Sequence, residues 1–523
     1  MRQETVGPGR IAPFANALGK WRRNLTLTRL AARGRRSCCG AHKRDWFEKQ
    51  GNCAKGLARR RTGRQRAPLN WTGISMRYHQ FAGSIIGAAL VVGALGSGPA
   101  LAAPATPAEQ RMIATVDAEQ ARTLALLERM VNQNSGSRNL EGVRKVRDIV
   151  SPEFTALGFA ARWVPMEQTG RAGHLILTHQ GAKGTKRLLL IGHLDTVFEP
   201  DSPFQTFALK GDKATGPGVA DDKGGMAVMI AALRAMQAAG TLKDANIEVV
   251  LTGDEEDAGE PTTVARADLV AAGRRADAAL DFEGLSREDG KDMGSIARRS
   301  SNSWTLTVTA KSGHSSAVFS PAMGDGAIYA AARIIAAIRE EVPEPNLTLN
   351  VGLIAGGAEA TLAPDAAHVA AAGKTNIVPA KAIARGDLRS LSPEQDRRAM
   401  ERMRAIVART WPGAQAAITF EEGYPPMAPT PGNQALLARL NGVNETLGLP
   451  AMAPLDPLKR GAGDISFVAA DVDGLVGLGP ASTGDHSPAE TTDVPSIWRQ
   501  AKRAALLMTR LSREKAVKPV GKK

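Results

Sequence analysis

Three short apolar runs, each ending at a histidine or a carboxylate, constrain this chain more than any other feature. Residues 187–192 read Arg-Leu-Leu-Leu-Ile-Gly, 247–252 read Ile-Glu-Val-Val-Leu-Thr and 278–282 read Ala-Ala-Leu-Asp-Phe. Apolar runs of this length predict strands buried on both faces. Helical patterns at 224–239 and 261–272 separate them. Buried strands alternating with helices predict an α/β sheet with helices on both faces. In open sheets of this kind, reactive groups collect beyond the carboxyl ends of the strands. This chain places His193-Leu194-Asp195, Asp254-Glu255-Glu256 and Asp281-Phe282-Glu283 at those ends.

The remaining pattern predicts two domains, one inserted in the other. Residues 107–132 read as an amphipathic helix, with Leu124, Leu126, Leu127, Met130 and Val131 near its end. Residues 302–310 alternate strictly and predict a half-exposed antiparallel strand. A helix at 326–340, strands near 347–354 and 383–390 and a helix at 393–410 complete a smaller α+β unit; helices near 433–447 and 494–511 then restore α/β character. The expected division is a catalytic domain of 103–296 and 411–515, interrupted by an α+β unit at 297–410 and followed by a basic tail at 516–523. Aromatic residues are only 4% of the chain, so core packing must rest on Ala, Leu, Val and Ile.

The net charge of +15 resembles that of a nucleic-acid binder, but it is concentrated in one place. The first 78 residues hold 19 of the 67 Lys and Arg and 3 of the 52 Asp and Glu, which leaves 48 bases against 49 acids in the remainder. The folded part is therefore near neutral, and nucleic acid is not expected as a partner. All three cysteines, Cys38, Cys39 and Cys53, lie in the same stretch, without the histidine pair of a zinc finger. Residues 76–102 have the layout of a secretory signal peptide. Met76-Arg77 precedes an apolar run from Phe81, and Ala100-Leu101-Ala102 offers a small-x-small cleavage site. The alternative is a membrane anchor, but the run is shorter than the roughly 20 residues a span needs. Cleavage after Ala102 predicts a secreted or periplasmic product with no membrane anchor. Residues 1–75, Arg-rich and without periodicity, read as a basic leader upstream of a start at Met76, the alternative being a genuine basic tail.

Taken singly, the clusters are ambiguous. In His193-Leu194-Asp195 both polar side chains face one way on an extended chain, so Asp195 can orient a metal-binding His193; the pattern also arises by chance. Asp221 and Asp222, flanked by glycines in Gly218-Val219-Ala220-Asp221-Asp222-Lys223-Gly224-Gly225, suit either a cation-bridging carboxylate or a helix N-cap. Glu255 and Glu256 form either a solvated turn or a pair that divides ligand and proton-carrier roles. A buried strand ending in Asp281 and Glu283 needs a counter-charge. His486, in Asp485-His486-Ser487-Pro488-Ala489-Glu490, would alone be a surface histidine.

The order His-x-Asp, glycine-rich Asp, Glu-Glu, Glu and a late His resembles the M20-type dinuclear metallopeptidases, the family of glutamate carboxypeptidase, succinyl-diaminopimelate desuccinylase and aminoacylase. The likeness spans nearly all of 107–512, and 131–143 is similar to the start of the glutamate carboxypeptidase branch. The resemblance implies a secreted hydrolase with two zinc ions per subunit, cobalt or manganese being chemically possible. His193 and Glu283 would bind one ion, Glu256 and His486 the other, and Asp221 would bridge them. Asp195 would support His193, and Glu255 would be the general base acting on a water shared by the ions. The 297–410 unit would be a ferredoxin-like lid that forms a homodimer, with His314 reaching the partner's active site. Asn376 and Arg389 would hold the substrate carboxylate, and Gly461, in the Gly461-Ala462-Gly463-Asp464 turn, would belong to a substrate-side loop. The implied activity is cleavage of a peptide or amide bond next to a free carboxylate, in a small peptide or an N-acylated amino acid. An aminoacylase and an inactive binding protein are the alternatives. Asp222 and the Asp257-Ala258-Gly259-Glu260 continuation depart from the family's commoner residues, which bears on substrate preference.

Overall fold

The computed structural model describes residues 104–516. The basic leader, the apolar targeting run, the three cysteines and nearly all of the basic tail lie outside the described residues. Helices α1 (Pro107–Ala118), α2 (Gln120–Val131) and α3 (Leu140–Thr155) lead into strands β1 (Ala160–Pro165) and β2 (Gly173–His179). Strand β3 (Arg187–His193), helix α4 (Lys223–Ala238), strand β4 (Asn246–Thr252), helix α5 (Ala267–Arg275) and strand β5 (Ala278–Asp281) follow. The inserted unit contains β6 (Ser301–Ala310), α6 (Ala327–Glu341), β7 (Leu353–Gly357), β8 (Lys381–Arg389), α7 (Pro393–Val407) and β9 (Ala414–Tyr424). The chain returns through α8 (Pro431–Thr446), β10 (Gly474–Leu475) and α9 (Val494–Leu511).

The main sheet runs β1-β2-β4-β3-β5-β10, and β4, β3, β5 and β10 are mutually parallel. Along β3, successive residues serve opposite faces. Leu188 and Leu190 join the larger core with α4 and α9, while Leu189 and Ile191 pack with Leu269 and Ala272 of α5. This two-sided burial is why the strands read as continuous apolar runs. Helix α4 is buried along its length from Lys223 to Met236, which accounts for its unbroken run of small and apolar residues. Register pairs His193 with Thr252 and Ile191 with Asp281, so β3, β4 and β5 end close together and open their following loops into one space.

The expected helix at 107–132 is two helices that break at Glu119. Asp117, Glu119 and Gln120 at the junction offer no apolar side chain to the core, so each helix follows its own buried stripe. Strands β1 and β2 carry no clear period in the sequence, because β1 is a largely exposed edge and β2 contains the buried His174.

The inserted unit is an antiparallel sheet, β7-β8-β6-β9, with α6 and α7 covering one face. Trp304, Leu306 and Val308 of β6 point into that core, and the residues between them are half-buried. The unit's expected end at 410 is too early. Strand β9 pairs with β6 over its full length and carries the lid sheet on to Tyr424. Its Ala-Thr-Glu-rich edge sequence, half exposed in alternation, lacks the apolar content that marks a strand by itself.

Candidate metal and active site

The end of β3, the loop after β4 and the 485–490 segment converge on Asp221, which precedes α4. Its Oδ1 lies 3.0 Å from His193 Nε2 and its Oδ2 lies 3.2 Å from His486 Nε2. The second nitrogen also lies 3.2 Å from Glu256 Oε2. His193, Asp221 and Glu256 each offer a ligand atom, and these atoms lie within 4.8 Å of one another. One carboxylate with an imidazole at each oxygen is the arrangement a cation-bridging aspartate requires, and imidazole nitrogen with carboxylate oxygen suits zinc-like divalent ions.

Asp195, fully buried, organises the surrounding loops. It lies 3.3 Å from His193 Nδ1 and accepts the Ser137 hydroxyl at 2.6 Å. It also accepts the backbone N–H groups of Glu255 at 3.0 Å and Glu256 at 3.1 Å. One buried carboxylate thus sets the imidazole and both glutamates.

Close packing of acids perturbs the site. Burial opposes ionisation of Asp221, but hydrogen bonds from His193 and His486 outweigh it and hold the carboxyl well below the usual range. Burial, and then the charge of Asp221, pushes Glu256 up to about 7. Hydrogen bonds to Asp221 and then Glu256 raise His486 to about 11. Burial and the nearby Glu283 push Glu255 well above the ordinary carboxylate range. Acids this crowded retain protons near neutrality unless a cation stands among them, which fits a metal centre.

Glu283 is placed differently from its neighbours. Its Oε2 accepts from Arg298 and, at 3.3 Å, from Arg460, and it stands outside the three-residue ligand group. Arg298 also donates to the carbonyls of Gly461 and Ala462. Arg389 donates to Asp387 at 2.9 Å, and its Nη1 lies 3.9 Å from where a Cβ on Gly461 would stand, so these two expected substrate residues meet. His314 and Asn376 also meet, on the exposed lid. His314 pairs with Ile377, Ser315 N–H donates to the Asn376 carbonyl at 2.9 Å, and the His314 ring turns to Ser316. Among the described residues, the His314 ring hydrogen-bonds to Ser316 and not to the metal-ligand group.

Several contributors escaped the sequence reading. Ser137 and Arg298 carry no local signal. Glu490, within the 485–490 segment, is buried and receives the N–H groups of Gly218 at 3.1 Å, Ala220 at 3.0 Å and Asp221 at 3.2 Å. Three convergent amide donors fix the backbone that carries Asp221. Burial raises the Glu490 carboxyl to about 7.

Fold and site together define a metallohydrolase of peptide or amide bonds. Residues 189–510 match the model of peptidase family M20/M25/M40, and the chain belongs to that family. It is 26% identical over 397 residues to carboxypeptidase G2 of Pseudomonas sp. (strain RS-16), covering 75% of this chain and 89% of that protein. It is 25% identical over 402 residues to a succinyl-diaminopimelate desuccinylase of Variovorax paradoxus (strain S110), covering 72% and 94%. A tripeptidase from Staphylococcus aureus shares the fold at a TM-score of 0.59 and 20% identity, covering 76% of this chain and 99% of that one. A dinuclear metal-binding M20 peptidase from Bacillus subtilis does so at 0.53 and 16% identity, covering 76% and 99%.

Removing the support behind Asp221 tests the site. Glu490→Gln replaces one acceptor oxygen with a donor facing backbone N–H groups. Metal affinity measured by calorimetry is expected to fall roughly 10- to 100-fold; unchanged affinity would show that the 218–221 loop holds its shape without Glu490.

Proposed function

We propose that this enzyme is a secreted zinc carboxypeptidase-like hydrolase that cuts a peptide or amide bond next to a free carboxylate in a small substrate. The carrying observation is Asp221, with His193 at one oxygen and His486 at the other. His193, Asp221 and Glu283 would hold one ion, and Asp221, Glu256 and His486 the other, with Glu283 exchanging its arginine partners for the cation. Two such ions would supply Lewis acidity and acidify a bound water. Glu255 takes the proton of the attacking water and returns it to the leaving nitrogen. Burial and the nearby Glu283 raise its affinity for that proton above that of an ordinary carboxylate.

The substrate carboxylate is assigned to Arg389, beside Gly461. Arg299 stands near it, with no ion pair among the described residues, and burial and the Arg389 charge both lower its pKa. A guanidinium presented this way grips a carboxylate through parallel hydrogen bonds. Chelation is expected to abolish hydrolysis, and zinc, cobalt or manganese to restore it. The panel is C-terminal glutamate dipeptides, N-acetyl amino acids and aminoacyl anilides. Cleavage of only the first two classes, with KM raised about 10- to 100-fold in Arg389→Ala, supports the carboxylate reading. Preference between those classes separates the carboxypeptidase from the aminoacylase; efficient cleavage of anilides would refute the carboxylate requirement.

The lid is assigned to homodimer formation, which would bring His314 and Asn376 to a partner's cleft. Phe319, Ile328, Tyr329 and Ile354 are large, apolar and exposed around α6 and the edge strand β7, and Phe319 packs against Tyr329. Such a patch on a soluble domain marks an interaction surface. Light scattering is expected to give the mass of two chains, and that of one chain for a Tyr329→Glu, Ile354→Glu variant; a monomer in the unchanged enzyme would remove the assignment. Export rests on the apolar run before Ala103, and amino-terminal sequencing of protein recovered outside the cytoplasm should begin at Ala103. A mature chain that retains the apolar run would replace secretion with anchoring.

A further inference from the structure

Behind Glu255 lies a buried charged network that no step of the hydrolysis uses. At its centre is Arg266, 1% exposed. Its Nη1 donates to Asp254 Oδ1 at 2.6 Å and its Nε to Asp464 Oδ1 at 2.7 Å. Its Nη2 donates to the Asp254 carbonyl at 3.0 Å and to the Tyr424 hydroxyl at 2.9 Å. The rings of Phe467 and Tyr424 lie 5.5 and 5.7 Å from the guanidinium carbon, and their centroids lie 5.0 Å apart. Aromatic walls and two carboxylates leave this cation one orientation.

The network ends on the base. The Tyr424 hydroxyl, oriented by Arg266, donates to the backbone carbonyl of Glu255 at 2.6 Å. The N–H of the same residue donates to Asp195. Glu255 is therefore held through both of its backbone polar groups, by Asp195 on the metal side and by Tyr424 on the lid side. Tyr424 is the last residue of β9, where the chain leaves the lid sheet for the catalytic body. Asp464, which also accepts the Thr252 hydroxyl, closes the loop whose Gly461 and Ala462 carbonyls are held by Arg298, the partner of Glu283. The end of the lid strand, the base loop and the substrate-side loop thus share one hydrogen-bonded unit.

We propose that Tyr424, fixed by Arg266 between Asp254 and Asp464, is a positioning residue that sets the general base and ties its placement to the lid. This rests on the reading of Glu255 as the base. The Tyr424 hydroxyl hydrogen-bonds to Arg266 and to the Glu255 carbonyl and to none of the proposed metal ligands or carboxylate-binding side chains, so its effect belongs in turnover and not in affinity. Misplacement of a reacting group by a fraction of an ångström to one ångström costs on the order of 10- to 100-fold in rate.

The test uses the full metal-loaded enzyme on any substrate it cleaves, with Tyr424→Phe, Arg266→Lys and Glu255→Gln measured in parallel. Tyr424→Phe removes one hydroxyl. It is expected to lower kcat roughly 10- to 100-fold with KM within about twofold, two metals still bound and a single folded transition. Arg266→Lys keeps the charge but cannot reach all partners at once, and the same loss confined to kcat is expected. In the metal-free protein, hydrogen exchange over residues 253–257 is expected to quicken in Tyr424→Phe. An unchanged kcat, a rise in KM that matches the loss, or loss of metal or of folding in step with activity would overturn the proposal and make the hydroxyl merely structural. Glu255→Gln separates the two readings. If it is inactive while Tyr424→Phe is fully active, only the positioning role fails; if it keeps turnover, the base assignment fails and the positioning role with it.

Discussion

The structure depends on one carboxylate standing between two histidines. Asp221 reaches His193, at the end of a central strand, and His486, 265 positions further along the chain. Such a pairing cannot be held in water by side chains alone, since exposed ion pairs contribute little. It persists because the supports lie below it. Asp195 orients His193 and the Glu255-Glu256 peptides, and Glu490 gathers the amides of the 218–221 loop. Each support is a buried carboxyl group that accepts several hydrogen bonds, the condition under which such a group can remain inside a protein.

The sheet makes that arrangement possible. Parallel strands buried on both faces are rigid and end together, so loops far apart in sequence open at one edge. The register of β3 with β4 and β5 puts a histidine, a glutamate pair and a third glutamate around one opening. The crowding of like charges is tolerable only with counter-charges. The chain supplies some itself through Arg298, Arg460 and Arg266. A divalent cation would complete the balance among His193, Asp221 and Glu256, whose ligand atoms lie within 4.8 Å of one another.

The lid is attached to this site as well as placed above it. The return point at Tyr424 is hydrogen-bonded to the base loop, and Arg389 of β8 stands beside the 461–464 loop. A movement of the inserted sheet would therefore act on both the Arg389 side chain beside Gly461 and the backbone of Glu255. The exposed face of α6 and β7 provides the area through which a second copy would steady that sheet.

The sequence by itself determined the α/β class and the inserted α+β unit, because two-sided burial writes continuous apolar runs and strict alternation marks a half-exposed strand. It did not reveal β1, β2 or β9, whose edge positions and mixed polarity leave no period to read. Nor did it reveal the helix break at Glu119, which local propensity does not mark. His193, Asp221, Glu256 and His486 were named from order and likeness, but their meeting is a fact of tertiary structure. The same holds for Glu283, which lies with Arg298 and Arg460 here. Ser137, Glu490, Arg266 and Tyr424 were decided by the fold alone. Their roles come from which backbone groups they face across the chain, and a residue's own neighbours in sequence carry no record of that.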